Sequence, residues 1–315
     1  MRLNRLVPTS DLSHDEWLKY RKKGIGGSDV GAICGMNPYR SPMAVYIDKT
    51  EDALENIDNE AMRQGRDLEQ YVAQRFCEET GKRLRRANAI FYNVDYPFMT
   101  ANVDRLIIKE NAGLECKTAS AYSADKWRDG KIPESYELQC HHYMAVTGAD
   151  AWYIACVILG REFVWQRIER DEEIIRMLIQ IESDFWNNHI VPRIMPDPDG
   201  SKACDEIIKK YYPKSSYEAV QLLGFDDKLK RRQQIQALTE KLETEKKCID
   251  QEIQMYMQDA ELAENSRYRV SWKSVTSNRV DSKKLKSDYP KIYDACLKAF
   301  QSRRFAIKEF EEERQ

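Results

Sequence analysis

Residues 99–120 read MTANVDRLIIKENAGLECKTAS, and this stretch decides how the rest of the chain is interpreted. Its first part, MTANVDRLII, is rich in apolar and β-branched side chains, a composition that favours a β-strand. Residues 109–113, KENAG, supply turn chemistry, and LECKTAS then returns to an extended pattern. The stretch therefore predicts a β-hairpin.

The hairpin brings three charged side chains into one neighbourhood. Because side chains alternate along a strand, Glu115 and Lys117 share one face. A turn centred near residues 110 and 111 sets Asp104 opposite Lys117 and diagonal to Glu115. Two carboxylates and an ammonium then converge on one spot. The alternative is a surface hairpin with an ordinary cross-strand salt bridge, since exposed ion pairs are common.

Composition is that of an ordinary globular protein with one or two domains. The chain has 315 residues, of which 42% are hydrophobic and 32% charged, and its net charge of -2 neither indicates nor excludes a nucleic-acid partner. Its longest apolar run, residues 151–159, is too short to span a bilayer, and the N-terminus lacks the apolar core of a signal peptide. We therefore expect a cytoplasmic protein with no membrane partner.

Metal sites built from cysteine or histidine are not indicated. The eight cysteines contain no C-x-x-C pair, which argues against zinc and against a four-thiolate iron–sulfur cluster. His141 and His142 are adjacent in a predicted helix and point to different faces.

The N-terminal region offers a candidate phosphate pocket. Ser13 and Glu16 form a capping-box pattern that opens a short helix carrying Arg21. The motif GIGGSD, residues 24–29, precedes an apolar helix, and Ser28 is positioned to cap that helix. Arg21 and the free N–H groups of a helix N-terminus together suit a phosphate. The alternative is that GIGGSD is only a tight turn into a helix.

Two further predicted helices carry candidate site residues. Residues 59–80 form a helix with a buried stripe of Leu68, Val72 and Phe76, and Glu69 lies at the edge of that stripe, where a carboxylate needs a partner or a metal. A second helix begins near Pro133 and ends at Gly148. Its Gln139 shares a face with aromatic residues, where an amide is either exposed or hydrogen bonded.

The remainder of the chain divides into a strand pair, a helix and a separate C-terminal part. We predict buried strands at 151–159 and 162–168, a helix at 171–189, and a proline-rich boundary at 192–200. Residues 217–263 form an amphipathic arm suited to pairing with a helix or subunit. A strand at 267–275, a helix at 283–300 and a strand at 303–310 follow. The predicted domains are 1–198, 199–265 and 266–315.

The last of these domains mixes basic and aromatic residues. Such a mixture suits nucleic-acid binding through phosphate contacts and stacking. A solvated α+β module that docks the arm or a partner is the alternative.

The charged constellation suggests metal-assisted chemistry. Oxygen ligands from Asp104 and Glu115, with Glu69 and a backbone carbonyl, suit Mg²⁺ or Mn²⁺. Such a metal polarises a phosphodiester and supplies a bound water as nucleophile. Lys117 either orients and deprotonates that water or stabilises charge in the transition state.

The motifs together resemble a known family. They are Arg21, GIGGSD, Gln64-Gly-Arg-Asp-Leu-Glu69, Asn102-Val-Asp104, Leu114-Glu-Cys-Lys117 and Tyr136-Glu-Leu-Gln139. In this order they resemble the YqaJ-type viral recombinases, which belong with the lambda-type alkaline exonucleases in the PD-(D/E)XK nuclease superfamily. The resemblance covers about residues 13–190. Val103 stands where the superfamily name has proline.

The resemblance implies a fold and a set of roles. The fold is α/β (α+β), a central mixed sheet flanked by helices in a restriction-endonuclease-like core, followed by a helical arm and a small α+β module. Asp104 and Glu115 bind Mg²⁺, and the Cys116 carbonyl and Glu69 complete the metal environment. Lys117 acts on the water and Gln139 assists. The implied site for a terminal 5′-phosphate consists of Arg21, Ser28 and Asn102.

The implied activity is a Mg²⁺-dependent 5′ to 3′ duplex-DNA exonuclease that leaves 3′ single strands for recombination. A structure- or sequence-selective endonuclease and a non-catalytic DNA-binding scaffold are the alternatives. The implied partners are duplex DNA ends, a RecT-type annealing protein and further copies in a ring trimer. The implied setting is a phage or prophage protein in the cytoplasm of the bacterial host.

Overall fold

The computed structural model describes residues 1, 3–51, 59–299 and 302–308. The α-helices in this part of the chain are α1 (His14–Lys22), α2 (Gly27–Ile33), α3 (Pro42–Thr50), α4 (Glu60–Thr80), α5 (Glu134–Thr147), α6 (Glu172–Phe185), α7 (Lys202–Tyr211), α8 (Asp226–Met257), α9 (Ser282–Asp288) and α10 (Pro290–Cys296). A 3₁₀ segment spans Ala121–Gly130, and a π-helical turn, Trp186–Ile190, extends α6. None of the described helices is long and apolar enough to cross a membrane.

The strands form two larger sheets and one small ribbon. They are β1 (Arg5–Pro8), β2 (Ile25–Gly26), β3 (Leu84–Arg86), β4 (Ala89–Tyr92), β5 (Met99–Asn102), β6 (Arg105–Ile107), β7 (Ala112–Ala119), β8 (Ala151–Ile158), β9 (Glu162–Glu169), β10 (Leu262–Glu264) and β11 (Arg269–Ser271). One sheet has the order β1-β4-β5-β2, the second β3-β6-β7-β8-β9, and the ribbon pairs β10 with β11. Parallel pairs, β2–β5 and β7–β8, stand beside antiparallel ones in the two larger sheets.

The predicted α/β (α+β) class, with mixed sheets flanked by helices, is confirmed. The stretch MTANVDRLII, however, is two strands in two different sheets, and the prediction of one strand is wrong. The chain leaves the four-stranded sheet after Asn102 and enters the five-stranded sheet at Arg105. Hydrophobicity alone did not reveal this crossing, because both segments are buried.

The centre of the fold is the parallel pair β7–β8, which runs in register from Ala112 beside Ala151 to Ala119 beside Ile158. Parallel strands need a long crossover connection, and the 3₁₀ segment and α5 supply it. Residues 139–147 of α5 are all buried in the core. Gly113 on β7 is required because a Cβ there would overlap the Trp152 ring. The crossover therefore places α5 against β8 and β5.

Capping residues determine where several helices begin and end. Asn59 caps α4 by accepting a hydrogen bond from the Met62 N–H at 2.9 Å, and Gly81 ends that helix in the left-handed conformation. The predicted capping box of Ser13 and Glu16 is confirmed at the start of α1. The buried His142 bonds the Glu182 carboxylate at 2.9 Å and the Thr100 carbonyl at 2.8 Å, which ties α5 to α6 and β5.

The chain forms two compact units, Met1–Tyr212 and Pro213–Gln315. The predicted domain boundaries after residues 198 and 265 stay predictions. In the second unit, the predicted arm is α8, a shorter helix than the predicted 217–263, and its last residues instead form β10. The predicted helix 283–300 is broken at Pro290, because proline lacks the N–H that a continuous helix needs.

Two other predictions for the ends of elements need correction. Residues 302–308 contain no strand, so the predicted strand 303–310 is wrong there, and its last two residues lie outside the described part, as does Phe300. The predicted buried strand 162–168 is β9, which is largely exposed or half-buried at the edge of its sheet.

Candidate active site

Asp104 stands where the chain passes from one sheet to the other. Its Oδ2 atom accepts a hydrogen bond of 2.8 Å from the backbone N–H of Cys116 on β7. The Asp104 carboxylate thus accepts the hydrogen bond that a backbone carbonyl would accept if the β6–β7 ladder continued to this point. The carboxylate is thereby held against the middle of β7.

The predicted hairpin register is wrong by two residues. Arg105 pairs with Leu114 and Leu106 with Gly113, so Asp104 lies beside Glu115 and not opposite Lys117. The turn is centred one residue earlier than predicted, because Lys109 adopts a left-handed conformation with φ of 70°. A non-glycine residue seldom takes that conformation, and the sequence did not indicate it.

Glu115, Lys117 and Gln139 form one hydrogen-bonded group. The Lys117 ammonium donates to Glu115 Oε1 at 2.6 Å and to Gln139 Oε1 at 3.0 Å. The Gln139 amide N–H donates to the same Glu115 oxygen at 2.8 Å. The second Glu115 oxygen, Oε2, is buried and has no hydrogen-bond partner among the described residues. The group therefore leaves one carboxylate oxygen available.

Close packing between α2 and α5 positions Gln139. A Cβ on Gly27 would lie 2.6 Å from the Tyr143 ring and 3.0 Å from Gln139 Cγ, so only glycine allows this approach. The Gln139 amide also donates to the Tyr143 hydroxyl at 2.7 Å, and that hydroxyl donates to the Asn102 carbonyl at 3.3 Å. The GIGGSD motif thus shapes the site through backbone proximity.

Negative charge in the site is not balanced by the protein. Burial, and then the nearby carboxylates of Glu115 and Glu69, raise the pKa of Asp104 well above its ordinary value. Burial alone would lower the pKa of Lys117, but the Glu115 carboxylate raises it above its normal value, so the ammonium stays charged. The half-buried Asp104 carboxylate and the buried Glu115 carboxylate, whose Oε2 has no partner among the described residues, are a good fit for a hard divalent cation.

Glu69 lies at the rim of this group. Its carboxylate pairs with Arg105, whose other hydrogen bonds go to the Asp104 carbonyl at 2.7 Å and to Gln70 Oε1 at 3.1 Å. Sequence reasoning missed Arg105, although its place directly after Asp104 was a usable signal. Across the described residues, no three His, Cys, Asp or Glu side chains form a ready-made metal cage. Two carboxylates and a carbonyl suit Mg²⁺, which usually keeps several waters.

The Cys116 carbonyl faces the same edge of β7 as Asp104. The N–H and C=O of one strand residue point to the same neighbouring strand, and the Cys116 N–H points to the Asp104 carboxylate. Burial and the nearby Asp104 carboxylate raise the pKa of the Cys116 thiol well above its ordinary value, so that side chain remains a thiol.

The three predicted phosphate-binding residues lie on neighbouring segments. The Arg21 guanidinium donates to the Ser28 hydroxyl at 3.0 Å and stacks 4.9 Å from the centre of the Trp17 ring. β2 and β5 run parallel with Gly26 beside Thr100, so the segments leading to Ser28 and Asn102 leave the sheet side by side. The expected cap at Ser28 is wrong, because Gly26 caps α2 and its N–H donates to Asp29 at 2.9 Å.

A second buried charge cluster supports this region, and sequence reasoning did not identify it. The fully buried Asp29 carboxylate contacts the Lys49 ammonium at 2.7 Å and the Arg40 guanidinium at 2.5 Å. Lys49 also donates to the Arg21 carbonyl at 2.9 Å. Burial alone would raise the pKa of Asp29, but the two cations hold it far below its usual range. This cluster anchors the end of α1.

Comparison with solved structures identifies the fold. The alkaline exonuclease LHK-Exo from Laribacter hongkongensis matches 62% of this chain and 97% of its own, with 20% identity and a TM-score of 0.47. Its complex with dAMP matches the same shares with 21% identity and a TM-score of 0.50. The matching part of the chain therefore has an alkaline exonuclease fold.

Sequence comparison identifies the family. The model of the YqaJ-like viral recombinase domain matches residues 16–150. The uncharacterized protein YqaJ of Bacillus subtilis (strain 168) is 40% identical over 309 residues, which are 96% of this chain and 97% of that protein. The chain belongs to the YqaJ-like viral recombinase family, and the resemblance inferred from its motifs is confirmed.

Proposed function

We propose that this protein is a Mg²⁺-dependent 5′ to 3′ exonuclease of duplex DNA that leaves 3′ single-stranded overhangs. The observation that carries the proposal is the carboxylate pair of half-buried Asp104 and buried Glu115, in which the charged Lys117 bonds Glu115 Oε1 and Glu115 Oε2 has no hydrogen-bond partner among the described residues. Membership in a recombinase family and an alkaline exonuclease fold support DNA as the substrate.

Asp104, Glu115 and the Cys116 carbonyl would hold the Mg²⁺ or Mn²⁺ ion, with Glu69 at the rim. When bound, the ion polarises the scissile phosphate and lowers the pKa of a coordinated water. Glu69 reaches this environment only if its ion pair with Arg105 adjusts, so we assign it a supporting role. Asp104 keeps its position through the Cys116 N–H whether or not a cation is present.

Lys117 acts as a fixed positive charge in this proposal. The raised pKa of Lys117 keeps the ammonium protonated, which suits it to orient the attacking water and to stabilise charge developing on the phosphate. Gln139 holds the Lys117 ammonium and the Glu115 carboxylate at a fixed separation, because it bonds both. The residues proposed to act in catalysis are Glu69, Asp104, Glu115, Lys117 and Gln139.

The 5′ to 3′ direction of degradation would come from a pocket for the terminal 5′-phosphate, formed by Arg21, Ser28 and Asn102. A guanidinium already bonded to a serine hydroxyl offers two kinds of donor to a phosphate oxygen. Tyr143 joins this region to the catalytic group through the Asn102 carbonyl and Gln139. A strand end held here would have its first phosphodiester directed to the carboxylate pair.

The proposed setting is phage-type recombination in the cytoplasm of a bacterial host. A RecT-type single-strand annealing protein would receive the 3′ overhang. A ring trimer around duplex DNA is the oligomer that we propose from the family resemblance.

The decisive experiment compares end-labelled linear duplex carrying 5′-phosphate or 5′-hydroxyl with closed circular DNA, in Mg²⁺. We expect progressive loss from phosphorylated ends, slower loss from hydroxyl ends and intact circles. Arg21→Ala should lose the preference for 5′-phosphate, while Lys19→Ala, an exposed charge on the same helix, should keep it. Nicking of circles at a comparable rate would indicate an endonuclease instead, and intact linear DNA in both Mg²⁺ and Mn²⁺ would indicate a binding protein.

A further inference from the structure

A basic groove lies between α4 and β3, and Arg105 is one of the residues that line it. The cavity has a volume of about 310 Å³, and Arg85, Arg86, Arg105 and Gln70 are among its lining residues. None of the described residues that line it carries a carboxylate. The exposed Arg85 and Arg86 and the buried Arg105, whose ion pair with Glu69 lies outside the lining, therefore give this cavity three guanidinium groups.

The hydrogen bonds concentrate this positive charge. Gln70 Oε1 accepts from Arg86 at 3.3 Å and from Arg105 at 3.1 Å, so a neutral amide holds two guanidinium groups near one point. Arg85 and Arg86 are exposed, and neither forms an ion pair with a described residue. Like charges held together by a neutral group leave a strong field for an anion.

Protection of a sheet edge explains the arrangement of these arginines less well than anion binding does. β3 is the edge strand of its sheet, and charged residues on an edge strand discourage pairing with other molecules. That role requires only charges that point outward. It does not require two guanidinium groups to converge on Gln70 beside a cavity.

Arg105 connects the groove to the proposed active site. One of its nitrogens bonds the Asp104 carbonyl and Glu69, and the other bonds Gln70 in the groove. A nucleic-acid strand that passes the carboxylate pair would then reach the groove, because the Arg105 side chain lies between the two. Arginine matches phosphate geometry with paired donors, which suits it to hold a backbone phosphodiester.

We propose that this groove, defined by Gln70, Arg85, Arg86 and Arg105, is a second phosphate-binding site, which holds the backbone of a nucleic-acid strand next to the phosphodiester being cut. The proposal rests on the proposed nuclease function. It assigns the groove to the strand backbone rather than to a free phosphate, because the cavity opens beside exposed arginines along a strand edge.

The test is binding of a short 5′-phosphorylated duplex labelled with fluorescein, measured by anisotropy in Ca²⁺ at several salt concentrations. Arg86→Ala should weaken binding and reduce the slope of log K against log salt by about 0.9, the value for one lost phosphate contact. The double variant Arg85→Ala with Arg86→Ala should reduce the slope by up to roughly twice as much. Arg86→Lys should keep most of the slope, since its charge remains.

Arg83→Ala is the matched control, because Arg83 is exposed, carries the same charge and does not line the cavity. We expect its slope and affinity to equal those of the unaltered protein. Equal losses of affinity in Arg83→Ala and Arg86→Ala, or no loss of affinity in the double variant, would overturn the proposed groove. The proposed nuclease function would still stand in that case if the unaltered protein binds and cleaves the duplex. Absence of both binding and cleavage in the unaltered protein would overturn the two together.

A competition arm separates the two sources of phosphate. Inorganic phosphate and thymidine monophosphate should displace the duplex no better from the unaltered protein than from Arg86→Ala. Displacement that depends on Arg86 would identify a product site and would overturn the assignment to a strand backbone.

Discussion

Two charge clusters of the first unit each combine an aspartate with a lysine, and they differ in charge balance. In one, Asp29 has two cationic partners, Lys49 and Arg40, and its pKa lies far below the usual range despite complete burial. In the other, Lys117 bonds Glu115 while the Asp104 carboxylate accepts from the Cys116 N–H, and burial and the neighbouring carboxylates raise the pKa of Asp104. Asp48 contacts both cations of the first cluster, which is therefore balanced, and the second cluster carries excess negative charge.

The difference separates a structural ion pair from a site that needs a ligand. Buried charges are stable when each is paired and hydrogen bonded, as Asp29 is. A buried carboxylate oxygen without a partner, such as Glu115 Oε2, costs folding free energy. A fold keeps such a group where function uses it, and a cation restores the balance.

The largest expected effect is on activity, in Asp104→Asn. The amide keeps the shape and still accepts from the Cys116 N–H, but it removes one proposed cation ligand. We expect cleavage of linear duplex to fall by at least the roughly 10²–10³-fold that loss of one electrostatic group costs. The free energy of unfolding should stay equal or rise, because one repelling charge is removed. Urea unfolding together with the cleavage assay measures both, and a less stable but active variant would contradict the comparison.

The matched change in the balanced cluster, Asp29→Asn, should act on stability. It leaves the buried Lys49 ammonium without its carboxylate, and breaking a buried pair typically costs about 3–5 kcal/mol. Urea unfolding should show this loss in the midpoint with an unchanged slope. A midpoint equal to that of the unaltered protein would show that Asp48, which lies 3.5 Å from Lys49, is a sufficient partner.

The next effect is stabilisation by metal. Mg²⁺ or Mn²⁺ at about 100 times its Kd should stabilise the protein by roughly 2.7 kcal/mol, because it binds only the folded state. Differential scanning calorimetry in metal and in EDTA measures the shift in Tm. Asp104→Asn should lose the shift and Asp29→Asn should keep it. A shift of equal size in all three proteins would indicate binding elsewhere.

The sequence predicted the excess-charge cluster better than the balanced one. Glu115, Lys117 and Gln139 could be found because their motifs resemble a family and because strand alternation places Glu115 beside Lys117. Asp29, Arg40 and Lys49 lie on three separate segments with no shared period, so their convergence depends on tertiary packing. The same limit hid the crossing between the two sheets at Asp104.

Helix existence followed from caps and periodicity, and the fold class followed from the family resemblance, whereas strand register followed from neither. With Lys109 in the left-handed conformation, the hairpin turn lies one residue earlier than predicted. A shift of the turn by one residue changes the residue that faces Asp104 by two positions. A left-handed conformation is uncommon for a non-glycine residue, so the residue type at position 109 did not indicate it. The pairing of Asp104 with the Cys116 N–H therefore needed the three-dimensional structure.

The smallest expected effect is an opposite dependence of stability on pH for the two aspartates, in EDTA. The pKa of Asp104 is raised in the folded state, so the unfolded chain ionises first as pH rises above the ordinary value of 3.8, and stability falls through that window. The pKa of Asp29 is lowered, so its contribution is complete above 3.8 and is lost as pH falls below it. Urea unfolding across pH, compared with Asp104→Asn and Asp29→Asn, isolates each contribution. For each aspartate, the measured quantity is the change with pH in the difference in unfolding free energy between the unaltered protein and the Asn variant. If this change had the same sign for Asp104 and Asp29, the clusters would not differ in charge balance, and the reason for placing a cation between Asp104 and Glu115 would disappear.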